Sequence, residues 1–423
     1  MMRLSHAPRG WNSWDCYGAA VDEATVRANA AYMSQHLKQS GYEYVVVDIQ
    51  WSEPTAENHA YHPFAPLCMD AYGRLIPAEN RFPSAAGGMG FRPLADYVHS
   101  LGLKFGIHIM RGVPRQAVHA ACPVLSSEKT CREIAKTDSI CAWNSDMYGV
   151  DPEKDGAREY YNSIFRLYAE WGVDFIKCDD IARELPACET ELRLLSECLQ
   201  NCGRDMVLSL SPGASLPEKA ELYKQTANMW RMSDDFWDKW DALYEMFGFA
   251  EKWCIHAGAG HYPDADMLPI GAILQDYDPS IRSKFTPDEL KTMMTLWCMI
   301  RSPLFIGGEL TKLTADELAL LTNPDVLKMH ADARFTKPVY RRRSNETECA
   351  VWLAADANGT YYIGVFNLGD VPAACLRVAA YELELETLRA TELWTGEMQS
   401  GTELVMRELP PHGCALWKIT EKS

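Results

Sequence analysis

Seven carboxylates stand at or just past the ends of short apolar runs in this 423-residue chain: Asp48, Asp179, Asp180, Asp234, Asp235, Asp264 and Asp266. The runs read Val47-Asp48-Ile49-Gln50-Trp51, Ile176-Lys177-Cys178-Asp179-Asp180, Trp230-Arg231-Met232-Ser233-Asp234-Asp235 and His261-Tyr262-Pro263-Asp264-Ala265-Asp266. Two chemistries use such a set. A divalent-metal site would normally add paired histidines. Here only His108, His256 and His261 fall near run ends, and no His-x-His or His-Glu-x-x-His occurs. Glycoside hydrolysis asks for two carboxyl groups, one a nucleophile or base and the other a proton donor. Residues i and i+2 of a strand share a face, so Lys177 sits beside Asp179 and would hold it ionised. Arg231, Ser233 and Asp235 share a face in the same way, and Asp235 is the candidate general acid. The plain alternative is that each set is an ordinary Lys–Asp or Arg–Asp ion pair.

These groups cooperate only if the elements carrying them converge. A unit of amphipathic helix, glycine and apolar strand repeats through the first three quarters. Residues 22–39 place Val26, Ala30, Met33 and Leu37 at helical spacing, followed by Gly41 and a strand-like run over 42–51. The order recurs as helix 93–101 with strand 104–109, helix 157–171 with strand 174–179, and helix 189–202 with strand 206–211. A glycine follows each helix, as a left-handed cap requires. Further strand-like runs at 9–14, 228–235, 253–257 and 303–307 bring the total to eight. Strands rich in Val, Ile and Phe suit a parallel sheet covered on both faces. Eight βα units predict a (β/α)8 TIM barrel of the α/β class, with a doubly wound sheet as the alternative. In a barrel, the C-terminal strand ends share one rim, where the polar residues fall. Past about residue 327 helical periodicity stops. Short alternating runs follow at 350–354, 361–366, 376–379, 390–394 and 414–419, with a hairpin turn at Asp356-Ala357-Asn358-Gly359. The expected division is a catalytic barrel over 1–330 and a small antiparallel β-domain over 335–423.

Composition narrows the partners. With 41 basic against 58 acidic residues the net charge is −17. A nucleic acid or an anionic membrane would need a basic face, so neither is expected as a partner. No apolar run reaches the ~18 residues of a membrane span. The start, Met1 to His6, lacks the apolar core of an export signal. The 14 cysteines form no Cys-x-x-Cys. They read as reduced thiols, many of them buried, in a cytoplasmic chain. The 13 tryptophans fit a large core and equally the apolar C–H faces of a pyranose. Segment 111–150 holds Arg111, Arg115, Trp143, Asn144 and Asp146. It reads either as a cover over the pocket or as a loop packed on the rim.

Several motifs then fall in one order: Gly10-Trp11-Asn12-Ser13-Trp14, Tyr44–Trp51, Lys104-Phe105-Gly106-Ile107, Asp174–Asp179, Arg231–Asp235, Pro263–Leu268 and Arg301-Ser302-Pro303-Leu304. Together they resemble glycoside hydrolase family 27, the α-galactosidase family of the α-galactosidase/melibiase clan. The resemblance implies a retaining exo-glycosidase on a TIM barrel, with a C-terminal β-sandwich and no cofactor or metal. It places the nucleophile at Asp179 and the acid/base at Asp235. Lys177 and Arg231 would bind sugar hydroxyls, Trp14 and Asp48 would line the pocket, and Asp266 with Met267 would close it.

The departures from the family pattern bear on the substrate. The Asp-Asp pair usual at the end of strand two is Asp48-Ile49, so the carboxylate that holds the exocyclic 6-hydroxyl becomes a hydrocarbon. A frequent tyrosine on strand three is His108. A cysteine used in a disulfide by secreted members is Ile181. Ser211-Pro212-Gly213 replaces a bulkier pair near the sugar 2-position. β-L-Arabinopyranose is α-D-galactopyranose without its CH₂OH, so Ile49 favours the pentose. By pattern alone, Ile49 alternates with Val45 and Val47 and would pack against the helices; the resemblance puts it in the pocket. The competing functions are an α-D-galactosidase proper, a non-catalytic sugar-binding relative, and a metal-dependent hydrolase.

Overall fold

Eight short parallel strands make the inner ring: β1 (Arg9–Asn12), β2 (Tyr44–Val47), β3 (Lys104–Met110), β4 (Phe175–Asp179), β5 (Val207–Leu210), β6 (Met229–Arg231), β7 (Tyr262–Asp264) and β8 (Leu304–Ile306). The computed structural model describes residues 4–422 other than 186, 259, 345 and 346. The strands run side by side in the order β7-β6-β5-β4-β3-β2-β1-β8. Just past β7, Leu268 bridges Ile306 of β8 in parallel, its N–H donating to Phe305 O at 2.7 Å, and this closes the ring. The crossover helices are α1 (Glu23–His36), α2 (Arg92–Ser100), α3 (Ala157–Trp171), α4 (Glu189–Gln200), α5 (Ala220–Thr226), α6 (Trp240–Trp253) and α7 (Pro287–Ile300), with α8 (Ala315–Leu321) after β8. That is the alternation expected of a TIM barrel.

Local chemistry accounts for the helix ends. The Asp22 side chain accepts from Thr25 N and caps α1. Thr286 and Glu289 form a capping box on α7, with Pro287 in its first turn. Gly172 ends α3 at φ 83°, where a Cβ would be strained.

Period two sorts the strand residues into two layers. Val45, Val47, Phe105, Ile107, Ile176, Leu208 and Leu210 face the helical ring in the main core. Tyr44, Val46, Phe175, Val207, Met229, Tyr262 and Phe305 fill the barrel interior. The interior leaves little room at β1, where a Cβ on Gly10 would come within 2.3 Å of Tyr44 O.

Three expectations about elements fail. Residues 253–257 are not a strand: Trp253 ends α6 and Cys254–His256 form a 3-10 turn. Leu243, Met246, Phe247, Ala250 and Trp253 are buried at helical spacing, so this short apolar run belongs to a helix face. The seventh strand is Tyr262–Asp264. Strand six stops at Arg231, so Ser233 and Asp235 lie in the following loop and do not share its face by pleat. Helical structure also continues past 327, through α9 (Pro324–Asp332).

Beyond α9 the chain is antiparallel: β9 (Ala333–Ser344), β10 (Thr347–Asp356), β11 (Tyr361–Asn367), β12 (Ala373–Ala379), β13 (Leu388–Glu392), β14 (Met398–Gly401), β15 (Glu403–Leu409) and β16 (Cys414–Lys422). A six-stranded sheet, β9-β10-β11-β16-β13-β14, packs on the pair β12-β15. One face of the large sheet (Val351, Leu353, Ile363, Val365, Trp417) shares a core with Val378, Leu404 and Met406 of the small one. The opposite face (Ala350, Trp352, Phe366, Leu416) joins the main core. Thr336 Oγ1 donates to Met299 O at 2.6 Å, and Thr292 Oγ1 to His412 O at 2.6 Å, fastening this sandwich to α7. Strands β9, β14 and β15 are additions to the strands expected from the sequence: Arg341 to Arg343 make part of β9 polar, β14 is four residues with none buried, and β15 buries Leu404, Met406 and Leu409 in alternation with more exposed residues. All fourteen cysteines are free thiols. No helix among the described residues is long and apolar enough to cross a membrane.

Candidate active site

The inward phase of the strands continues past the apolar interior into polar residues at the C-terminal rim. Asp48 follows Tyr44 and Val46, Lys177 and Asp179 follow Phe175, and Arg231 follows Met229. His108 pairs with Lys177, Met110 with Asp179, and Asp264 with Arg231 in the strand register. The ends of β2, β4 and β6 therefore meet at one cavity of about 290 Å³. Its charged lining is Asp48, Lys177, Arg183, Asp179, Arg231 and Asp235, and its apolar and aromatic lining is Trp14, Ile49, Tyr61, Trp143 and Pro212.

Lys177 Nζ donates to Asp48 Oδ2 at 2.8 Å, and Asn12 Nδ2 donates to the same oxygen at 2.7 Å. His108 Nε2 lies 3.0 Å from Asp179 Oδ2 and donates there when that nitrogen carries the proton. Asp180 N donates to the other oxygen, Oδ1, at 3.0 Å. Burial alone would raise the Asp179 carboxyl, but the His108 hydrogen bond and charge, Lys177 and the Asp180 N–H together hold it well below the usual carboxylate range. Burial would likewise lower Lys177, yet the Asp48 and Asp179 carboxylates hold it firmly protonated. Arg231 is buried, with Nη2 at 2.6 Å from Asp266 Oδ2 and 3.1 Å from Asp235 Oδ1. The Asp235 side chain is 54% exposed, the most open carboxylate of the lining. Asp234 turns outward to Arg183, 2.7 Å away. The site thus combines a buried carboxylate whose ionised form is favoured with an accessible second one, across a cavity of sugar size.

Among the expected site residues, Trp14, Asp48, Ile49, Lys177, Asp179, Arg231 and Asp235 line this cavity. Ser211, Asp266 and Met267 do not. They line an inner recess below it, which shares Lys177 and Arg231. Asp266 supports Arg231 and accepts from Phe236 N at 2.8 Å, and burial raises its carboxyl. His108 reaches the site through Asp179. Ile49 departs from strand phase because β2 ends at Val47. It is 5% exposed and packs with Met110, Cys141 and Met147, flanked by Trp14, Tyr61 and Trp143. Segment 111–150 does reach the cavity: its hairpin, Ala135–Ile140 with Met147–Val150, brings in Trp143 from the connecting turn.

Tyr61 and Arg183 escaped the sequence reading. Tyr61 lies in a long connection without periodicity, yet stacks on Trp14 with centroids 5.9 Å apart. The surplus of aromatic residues was its only signal. Among the described residues, no group of three or more His, Cys, Asp or Glu side chains is arranged to hold a metal ion.

The chain is similar to several known proteins. The family described as alpha galactosidase A matches residues 152–332, and the alpha galactosidase C-terminal beta sandwich domain matches residues 346–419. The crystal structure of a family 27 β-L-arabinopyranosidase from Geobacillus stearothermophilus superposes with a TM-score of 0.95. It is 50% identical, over 99% of this chain and 97% of that one. An Asp-to-Ala variant of that enzyme in complex with arabinose gives 0.94 at 49% identity, over 99% and 98%. The α-galactosidase of Coffea arabica is 28% identical, over 92% of this chain and 86% of its own length.

Proposed function

The chain belongs to glycoside hydrolase family 27, and on that footing we propose that it is a retaining exo-glycosidase that removes terminal β-L-arabinopyranose. Its substrates are small-molecule glycosides or oligosaccharides. Asp179 attacks the anomeric carbon while Asp235 protonates the departing oxygen, giving a covalent glycosyl-enzyme. Asp235 then takes a proton from the water that attacks the same carbon, and two inversions return the original configuration. The geometry supports these roles. Asp179 is kept anionic by His108, Lys177 and the Asp180 N–H, as a nucleophile must be. Asp235 is open enough to meet both leaving group and water. Lys177 and Arg231, fixed by Asp48 and Asp266, are placed to bind ring hydroxyls, and Trp14 to cover an apolar sugar face.

Ile49 carries the choice of sugar. Its side chain and the Met110, Cys141 and Met147 cluster behind it form an apolar wall. A hydroxymethyl group against that wall would lose its hydrogen bonds to water without gaining a partner, while the pentose ends in an apolar ring methylene. An α-D-galactosidase is the second reading, favoured by the α-galactosidases among the relatives. Comparing kcat/KM on aryl β-L-arabinopyranoside and aryl α-D-galactopyranoside decides between them. A preference for the galactoside rejects the arabinose assignment.

A further inference from the structure

We propose that Arg111 is a positioning residue for catalysis: it sets the direction of the Asp179 carboxylate by clamping Asp180 behind it. The proposal rests on the reading of Asp179 as nucleophile and adds a residue that lines neither the cavity nor the inner recess. Arg111 directly follows β3, and its side chain is 5% exposed. Its own N–H donates to Asp179 O at 3.1 Å. Its Nε donates to Asp180 O at 2.5 Å, and its Nη2 lies 3.0 Å from Asp180 Oδ2. One residue thus grips the nucleophile's carbonyl oxygen together with the carbonyl oxygen and one carboxylate oxygen of the residue after it.

The grip has a conformational purpose. Asp180 stands at φ 58°, in the left-handed region that a residue with a Cβ enters only at a cost. In that conformation its N–H points back at Asp179 Oδ1, 3.0 Å away. His108 meets the other oxygen, Oδ2. The two donors stop the carboxylate from turning about its Cβ–Cγ bond. Were Asp180 to relax, the carboxylate would keep the His108 hydrogen bond and lose the one that fixes its second oxygen.

The remainder of the network shows that Arg111 is built in. Its Nη1 lies 3.1 Å from Glu191 Oε2 on α4 and donates to Ser139 Oγ on the hairpin at 3.0 Å. Burial pushes up both the Asp180 and Glu191 carboxyls, and the Arg111 charge is the main influence opposing it. Glu191 has anchors of its own, accepting from Tyr161 OH at 2.6 Å and from Val150 N at 2.9 Å. The Asp180 side and the Glu191 side of the guanidinium can therefore be perturbed separately.

The test uses the 2-deoxy-2-fluoro glycosyl fluoride of whichever sugar the enzyme turns over faster. The nucleophile's oxygen bonds to the anomeric carbon, fluoride departs, and the adduct persists. In the wild-type protein the labelled peptide should carry the adduct on Asp179. A label on another residue overturns the nucleophile assignment and this proposal with it. Arg111→Lys keeps the charge but not the fork of donors. It should slow labelling about tenfold or more, because a small misplacement of a reacting group is costly, and leave the reagent's binding constant within about threefold. Glu191→Gln should change the labelling rate by less than about threefold. Equal slowing by both variants, or none by Arg111→Lys, refutes positioning through Asp180. Asp180→Asn is the second variant, since asparagine tolerates the left-handed conformation. It weakens the Arg111 contact to a neutral hydrogen bond and should slow labelling by about threefold or more; an unchanged rate again refutes the proposal.

Discussion

Replacing Ile49 by aspartate puts the assigned sugar preference under the sharpest strain. The side chain sits at the cavity with 5% exposure, packed on Met110, Cys141 and Met147. The new carboxylate would face the position of a galactose hydroxymethyl, where a hydrogen bond to a charged acceptor is worth about 1.5–3 kcal/mol. The arabinoside would leave that carboxylate without a partner and lose apolar contact worth roughly 1–3 kcal/mol. Both effects act in the same direction. Even the smallest, taken alone, predicts that the kcat/KM ratio of α-D-galactoside over β-L-arabinopyranoside rises severalfold, and together they predict about tenfold or more. Steady-state rates on the two 4-nitrophenyl glycosides measure it. Ile49→Ala is the control: it opens the wall without supplying an acceptor, so its ratio should move less than that of Ile49→Asp. The substitution also removes a buried hydrocarbon, so urea unfolding should show a loss of about 2–4 kcal/mol. A folded Ile49→Asp variant with an unchanged ratio would mean that this wall does not touch the sugar at C5, and the preference for arabinose would lose its physical basis.

Asp179→Ala should lower kcat by roughly 10³-fold or more, and azide, a small external nucleophile, should restore turnover with a glycosyl azide as product; no recovery would argue against a nucleophilic role. Asp235→Ala should cost far more on substrates with poor leaving groups than on activated aryl glycosides, because only the former need protonation; equal losses would dissolve the distinction between the two carboxylates. Burial pushes the Asp146 carboxyl up to about 6 in the folded protein. Its folded value lies above the unfolded one, so this contribution to stability is fully present below about pH 4 and lost as pH rises through about 6. Asp146→Asn should therefore unfold at higher urea than wild type at pH 8, by up to roughly 3 kcal/mol, and the difference should shrink at pH 4; a constant difference across that range contradicts the linkage.

Much of the barrel was legible because its signals are local. Val26, Ala30, Met33 and Leu37 mark α1 by spacing alone, and glycines mark helix ends because few other residues accept a positive φ. Lys177 and Asp179 could be placed together because both lie within one strand, where the pleat fixes the face. The same rule failed beyond the strand ends. Arg231 and Asp235 do meet, at 3.1 Å, through the loop after β6 and not through its pleat. Ile49 would face the helices if β2 continued, and it reaches the cavity because β2 stops two residues earlier. Trp253 showed an apolar run whose period was too short to tell helix from strand.

The sequence by itself determined the βα alternation, the polar strand ends and the ordered motifs, because each depends on neighbours within a few residues. Only the tertiary structure decided which polar groups share a cavity. Asp48 and Lys177 are 129 positions apart yet form an ion pair of 2.8 Å, and Tyr61 comes to Trp14, and Trp143 to Tyr61, from connections without a pattern. It also decided the charge state of Asp179, the proposed nucleophile. The His108, Lys177 and Asp180 groups that favour the ionised form of Asp179 outweigh its burial only when parallel pairing sets β3 beside β4, and no local rule of spacing brings His108 there.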